Sequence, residues 1–219
     1  MDLLLQAALR LFVSQGYRST NLEQISGAAQ LTKGAVYFYF GSKEAVLLDL
    51  LRRVQDVVVD QAIAAVGQAS GSATDRLIAY VHYQASLGIT HRDEVLLLIL
   101  MSLEFKERDG EVQAFIRELY ARQRSFIDGL IAAGQKSGEF RSDVPVREMS
   151  AIVQALDDGT FLEWFRRSDH LSGADLTRGL RTTMLNGILS QPQPQAKAPV
   201  RPKRTAAAKT PKKVATRRA

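Results

Sequence analysis

The chain has 219 residues, 46% of them hydrophobic and 24% charged, enough to bury a sizeable core in one domain or two small ones. It contains no cysteine, which excludes disulfides, thiolate metal sites and cysteine redox sensing. The net charge of +6 is unevenly spread: residues 191–219 hold nine of the 29 basic side chains (Lys197, Arg201, Lys203, Arg204, Lys209, Lys212, Lys213, Arg217, Arg218) and no acid, leaving 20 basic against 23 acidic in the body, so any nucleic-acid site there must be local.

Leu5, Ala8, Leu9 and Phe12 recur at helical spacing and predict a first helix that stops at Gly16. Asn21, with Gln24 three residues on, reads as the N-cap pair of a short second helix carrying Leu22, Ile25 and Ala29 on one face. Thr32 caps a third, in which Val36 and Phe40 face inward at i,i+4 while Lys33, Gly34 and Tyr37 face outward. Gly41 and Ser42 end it and cap a fourth, expected to run unbroken from Lys43 to about Val66, before the break at Gly67, Ser70, Gly71 and Ser72.

Five more helices are expected at Asp75 to Leu87, Asp93 to Lys106, Glu111 to Gln135, Val146 to Arg167 and Ala174 to Leu189, for an all-α body of nine. Val112, Phe115, Ile116, Leu119, Tyr120, Phe126, Ile127, Leu130 and Ile131 keep the helical period through the longest of these. Beyond Ser190 the composition changes: five of the six prolines fall there among lysines, arginines and alanines, too few apolar groups to offset ordering entropy. The expected division is a DNA-binding domain at 1–48, a ligand-binding and dimerisation domain at 49–190, and a disordered tail at 191–219. Met1-Asp2 is acidic where a secretory leader would be basic, and the longest apolar run, Val95 to Met101, is far short of the ~20 residues that span a bilayer. A soluble, cytoplasmic protein without membrane partners is expected.

The segment 20–44 has the form of a helix-turn-helix, two short helices locked by a few apolar residues so that the second lies in the major groove. Ile25, Ala29, Leu31, Val36 and Phe40 are the expected lock. Lys33, Gly34, Tyr37, Phe38 and Tyr39 are left to face the duplex, and Gly34 permits close approach. Four consecutive aromatics, Tyr37 to Phe40, cannot all face inward on a helix; those exposed beside lysines call for a partner.

Gly16-Tyr17, Thr20, Ile25, Ala29, Leu31-Thr32-Lys33-Gly34, Val36-Tyr37-Phe38-Tyr39-Phe40 and Ser42-Lys43-Glu44 together resemble the TetR family of transcriptional regulators over residues 4–50. The resemblance implies a homodimer that reads a palindromic stretch of double-stranded DNA and releases it when a small molecule binds. It places Lys33, Gly34 and Tyr37 against base edges, and Phe38, Tyr39, Lys43, Asn21 and Leu22 against the backbone, with Thr32 also among the DNA-binding residues. Lys43, at a helix N-terminus, is expected to share one phosphate with free N–H groups. Gln30 stands where the family usually has glycine, which demands a left-handed or adjusted backbone there.

The resemblance further implies a ligand cavity among helices five to eight and a dimer interface on the last two. Leu176, Leu180, Met184 and Ile188 form an apolar stripe at i,i+4, which equally fits packing inside one subunit. Candidate ligand contacts are Tyr80, His82, Tyr83, Met101, Phe105, Phe126, Asp157, Phe161 and Trp164. Asp157-Asp158 inside an apolar run needs a partner, either a ligand cation, a salt bridge or solvent.

Catalysis finds no support: His82, His91 and His170 form no close-spaced metal motif, and neither a phosphate loop nor a nucleophile elbow is present, so no cofactor or metal is expected. The rival reading is a nucleoid-type architectural protein dominated by its basic tail.

Overall fold

A computed structural model describes residues 1–189. The expected disordered tail lies outside the described residues. The order is α1 (Asp2–Gln15), α2 (Leu22–Ala28), α3 (Lys33–Phe40), α4 (Lys43–Val54), a π-helical segment (Gln55–Asp60), α5 (Gln61–Gly67), α6 (Ala73–Thr90), α7 (Arg92–Glu104), α8 (Glu111–Ser137), α9 (Val146–Arg166) and α10 (Gly173–Ile188). Among the described residues there is no strand, only an isolated bridge between Phe140 and Leu189. The all-α class and the helix order are those read from the sequence.

The caps act as the sequence indicates. Asn21 Oδ1 accepts from the Gln24 amide while Gln24 Oε1 accepts from the Asn21 amide, both at 2.8 Å, closing a capping box on α2. Thr32 and Ser42 cap α3 and α4 through the amides of Ala35 and Ala45. Gln30 adopts the left-handed backbone expected of it, with φ 57°. The turn is stitched by the Leu31 amide on the Ser26 carbonyl at 2.9 Å.

One expected helix is interrupted. The run from Lys43 is continuous in direction, but Gln55–Asp60 is wound as a π turn, which holds one residue more than an α turn and frees carbonyls from their usual donors. Two side chains of α6 take them up: Tyr83 Oη donates to the Val57 carbonyl at 2.8 Å and Gln84 Nε2 to that of Val58 at 3.4 Å. Hydrophobic periodicity carries no trace of this, because both flanks keep an inward face.

The core has two lobes. The first joins the N-terminal helices to α7 and the start of α8 through Phe12, Ile25, Val36, Leu47, Leu51, Leu97 and Met101. The second gathers α5, α6, the end of α8, α9 and α10 around Tyr80, Ile131, Phe140 and Met149. Phe140 packs directly on Gly134, where an added Cβ would lie 2.1 Å from its ring, so only glycine fits. Glu139 docks the start of α6 onto this lobe, accepting from the amides of Ala73 and Thr74 and the Thr74 hydroxyl; these donors hold its carboxyl at about 2.

Candidate DNA interface and ligand cavity

In α3 a single residue, Val36, is fully buried, with Phe40 half-buried against the same core. The other three aromatics turn outward: Tyr37 is 46% exposed, Phe38 84% and Tyr39 54%. Around Gly34 the space a Cβ would occupy is open. This is a short helix anchored on one side and bare on the other, as groove entry requires. Leu31, expected in the lock, is instead 38% exposed, because the left-handed turn at Gln30 carries it out of the apolar wedge filled by Ile25, Ala29 and Val36.

The expected contact residues divide by what their side chains are free to do. Lys33 lies on the outward face, ion-paired with Glu23 of α2 and 5.9 Å from the Tyr37 ring centroid. Thr32 and Asn21 spend their side-chain oxygens as caps, leaving backbone groups to face outward. Leu22 is buried in the core, so what it offers is its amide at the helix start.

Lys43 is turned inward. Its ammonium donates to the carbonyls of Tyr17 at 2.8 Å and Thr20 at 2.6 Å and lies 4.3 Å from the Tyr17 ring centroid. The expected ammonium-to-phosphate contact is therefore absent from this conformation. Two carbonyls and a ring face in the α1–α2 turn hold the ammonium, and partial burial lowers the lysine pKa. The same turn meets the end of α7: Tyr17 stacks edge-on against Phe105 at 5.1 Å, and Arg18 pairs with Glu104 at 3.4 Å.

A cavity of about 430 Å³ opens between α6, α9 and α10, closed at one side by Val95 of α7. His82, Asp157, Phe161 and Trp164 line it as expected, the last three being one face of α9 at i, i+4 and i+7. The other candidates do not line it. Tyr80 is buried in the second lobe, its hydroxyl accepting from Gln84 and Gln123 at 3.0 and 3.1 Å. Phe126 packs 6.0 Å from Tyr80 on the α8 side. Tyr83 is held on the π segment, and Met101 and Phe105 belong to the first lobe. These five are taken up by the two core lobes and the π segment, a distinction that residue type cannot make.

Sequence reasoning missed Gln84, Gly88, Ile89 and Thr177 in the wall. Gly88 had a usable signal, since a glycine inside an apolar helix marks close approach, and the Phe161 ring would lie 3.5 Å from its Cβ. The α10 stripe is divided: Met184 and Ile188 are buried within their own subunit, while Leu176 and Leu180 reach the cavity. The face of α9 opposite Asp157 leaves Ala151, Ile152, Ala155 and Gly159 exposed. No group of three or more metal-ligating side chains, and no helix long and apolar enough to cross a membrane, occurs among the described residues.

Residues 4–50 match the family of bacterial regulatory proteins named tetR, and residues 53–178 match the C-terminal region of YsiA-like proteins. The MbdR regulator of Azoarcus sp. CIB is 39% identical and superposes with a TM-score of 0.79 over 86% of this chain and 98% of its own. The repressor KstR2 of Rhodococcus jostii is 27% identical over 85% of this chain and 90% of its length. FadR of Bacillus subtilis, solved with stearoyl-CoA, is 21% identical with a TM-score of 0.69, covering 85% of this chain and 98% of its own. The chain is a DNA-binding transcription regulator and belongs to the tetR family.

Proposed function

We propose that the protein is a cytoplasmic repressor, acting by binding and not by catalysis, whose homodimer reads a palindromic operator and releases it when a small molecule enters the cavity between α6, α9 and α10. The observation that carries this is the bare outer face of α3: exposed Tyr37, Phe38 and Tyr39 beside Lys33 and an unobstructed Gly34 have no use inside one subunit. On this reading residues 1–48 bind DNA and 49–190 bind ligand and the partner subunit. Lys33, Gly34 and Tyr37 meet base edges, while Phe38, Tyr39 and the amide-bearing starts of α2 and α4 meet phosphates. The exposed small residues on the outer face of α9 suit a close helix approach from a second copy. Two recognition helices about 34–36 Å apart then fall on successive turns of one DNA face.

The ligand class follows from the relatives: FadR of Bacillus subtilis was solved with stearoyl-CoA, and an acyl thioester is the corresponding ligand proposed here. To loosen the operator tenfold, it must favour one conformation by at least ~1.4 kcal/mol.

The test is a footprint on the DNA upstream of the protein's own gene, with wild type, Tyr37→Ala and a chain ending at residue 190. Wild type and the truncated chain should protect the same palindrome. Tyr37→Ala should stay folded and bind specific and random DNA alike, a loss of about tenfold or more in discrimination. Protection that vanishes with the tail alone would favour the architectural reading instead.

A further inference from the structure

The cavity wall holds two neighbouring carboxyls on α9, with His82, Gln84 and Thr177 as polar groups from the facing helices. Asp158 is engaged, its Oδ1 accepting from Gln154 Nε2 at 2.9 Å. Asp157 lines the same cavity, yet no hydrogen bond or ion pair reaches its carboxyl among the described residues. Phe161, Trp164, Leu176 and Leu180 line the same cavity, and its wall contains no lysine or arginine.

Burial raises both adjacent carboxyls, and the Gln154 donor opposes this at Asp158, so the charge is favoured there over Asp157. Asp158 has that donor and Asp157 does not. Burial, reinforced by the Asp158 charge, pushes Asp157 up to about 8, so near neutral pH it is a carboxylic acid. Its O–H is then a donor that faces the cavity and is bonded to no acceptor among the described residues, so a bound molecule can supply one.

We propose that the cavity takes an uncharged acyl group lying against Phe161 and Trp164, whose carbonyl oxygen accepts a hydrogen bond from the Asp157 carboxyl. The proposal rests on the ligand-release reading above and names the group that the site recognises. An anionic group is opposed by Asp158 and by the absence of a cation in the wall. A cationic ligand is the competing occupant, since aromatic rings and a carboxylate also suit an ammonium. It would need Asp157 ionised.

The two occupants separate on one substitution. Asp157→Asn keeps an N–H donor and removes the charge, whereas Asp157→Leu removes both and keeps the volume. The probes are the neutral thioester S-benzoyl-N-acetylcysteamine and the cation phenyltrimethylammonium, titrated calorimetrically into the full-length protein and, separately, into its operator complex. The thioester should bind wild type and Asp157→Asn within about threefold of each other and Asp157→Leu about tenfold more weakly, the size of one lost hydrogen bond. The cation should bind wild type more weakly than the thioester.

Equal thioester binding by wild type and Asp157→Leu overturns the assignment. So does a cation that binds wild type more tightly than the thioester and is lost in Asp157→Asn. Thioester binding that depends on Asp157 but leaves the operator complex intact sinks the ligand-release reading while the carbonyl site stands. Operator release by other acyl thioesters, without thioester binding at Asp157, does the reverse.

Discussion

The outer face of α3 and the cavity wall of α9 place their candidate binding side chains under opposite conditions. On α3 one buried residue, Val36, holds the helix, and the aromatics facing out contribute little to the fold. On α9 the working groups are also the wall: Phe161 packs against Gly88 and stacks on Phe165, and Asp157 sits where its charge is disfavoured. Substitutions on α3 should therefore change binding and leave stability alone, while substitutions on α9 change both. The two regions are joined by the α1–α2 turn, which Lys43 fastens from one side and Phe105 and Glu104 from the other.

The largest effect that would break this contrast is expected at Asp157. In the unfolded chain its carboxyl ionises near the ordinary value of 3.8, and burial in the folded protein pushes it up to about 8. Between these pH values the folded state binds the extra proton, so stability falls as pH rises from about 4 to 8 and levels above, a drop on the order of several kcal/mol. Facing the pair are Tyr80 and His82 from α6, Tyr120 from α8, and Arg181 of α10, which touches His82 at 3.4 Å. These remain in Asp157→Asn, so the difference between the two chemical-denaturation profiles isolates the carboxyl. Parallel profiles would mean that Asp157 is hydrated.

Next in size is Lys43→Ala, which removes two charge-assisted hydrogen bonds and the contact with Tyr17. A loss of about 2 kcal/mol in global stability is expected, with the salt dependence of random-DNA binding unchanged. A salt slope lowered by about one unit per subunit would instead show that Lys43 leaves the turn for a phosphate when DNA binds. The smallest effect sharpens the contrast from the other side. Glu23→Gln frees Lys33 from an exposed ion pair and removes a negative charge near the duplex, so DNA affinity should rise about two- to fivefold without a change in melting temperature. Unaltered affinity would place that side of α2 away from DNA.

The DNA-binding half was legible because its logic is local. The caps at Asn21, Thr32 and Ser42, the left-handed Gln30 and the in-out alternation of residues 36–40 are all set within a few positions of sequence. The cavity was only partly legible. Asp157, Phe161 and Trp164 came through because they share one helix face, whereas Tyr80 and Met101 have the residue types of a pocket and the burial of a core. Which face of α6 meets α9 depends on contacts between positions as far apart as Gly88 and Phe161, which no periodicity encodes. Lys43 misled for a related reason: its position at a helix start was right, but two carbonyls and a ring in a distant turn decided where its ammonium went.

The π turn at Gln55–Asp60 makes the angular setting of the reading head a matter of phase. Rewound as an α turn, the same six residues would carry α4 around its axis by about 100° relative to α5 and lengthen the run by about 1.5 Å. The carbonyls of Val57 and Val58 are held by Tyr83 and Gln84, and Gln84 also borders the cavity. A ligand that pulls the Gln84 amide toward itself thus loosens the catch on that phase, and in a two-fold assembly both heads would turn together, away from the spacing of successive grooves.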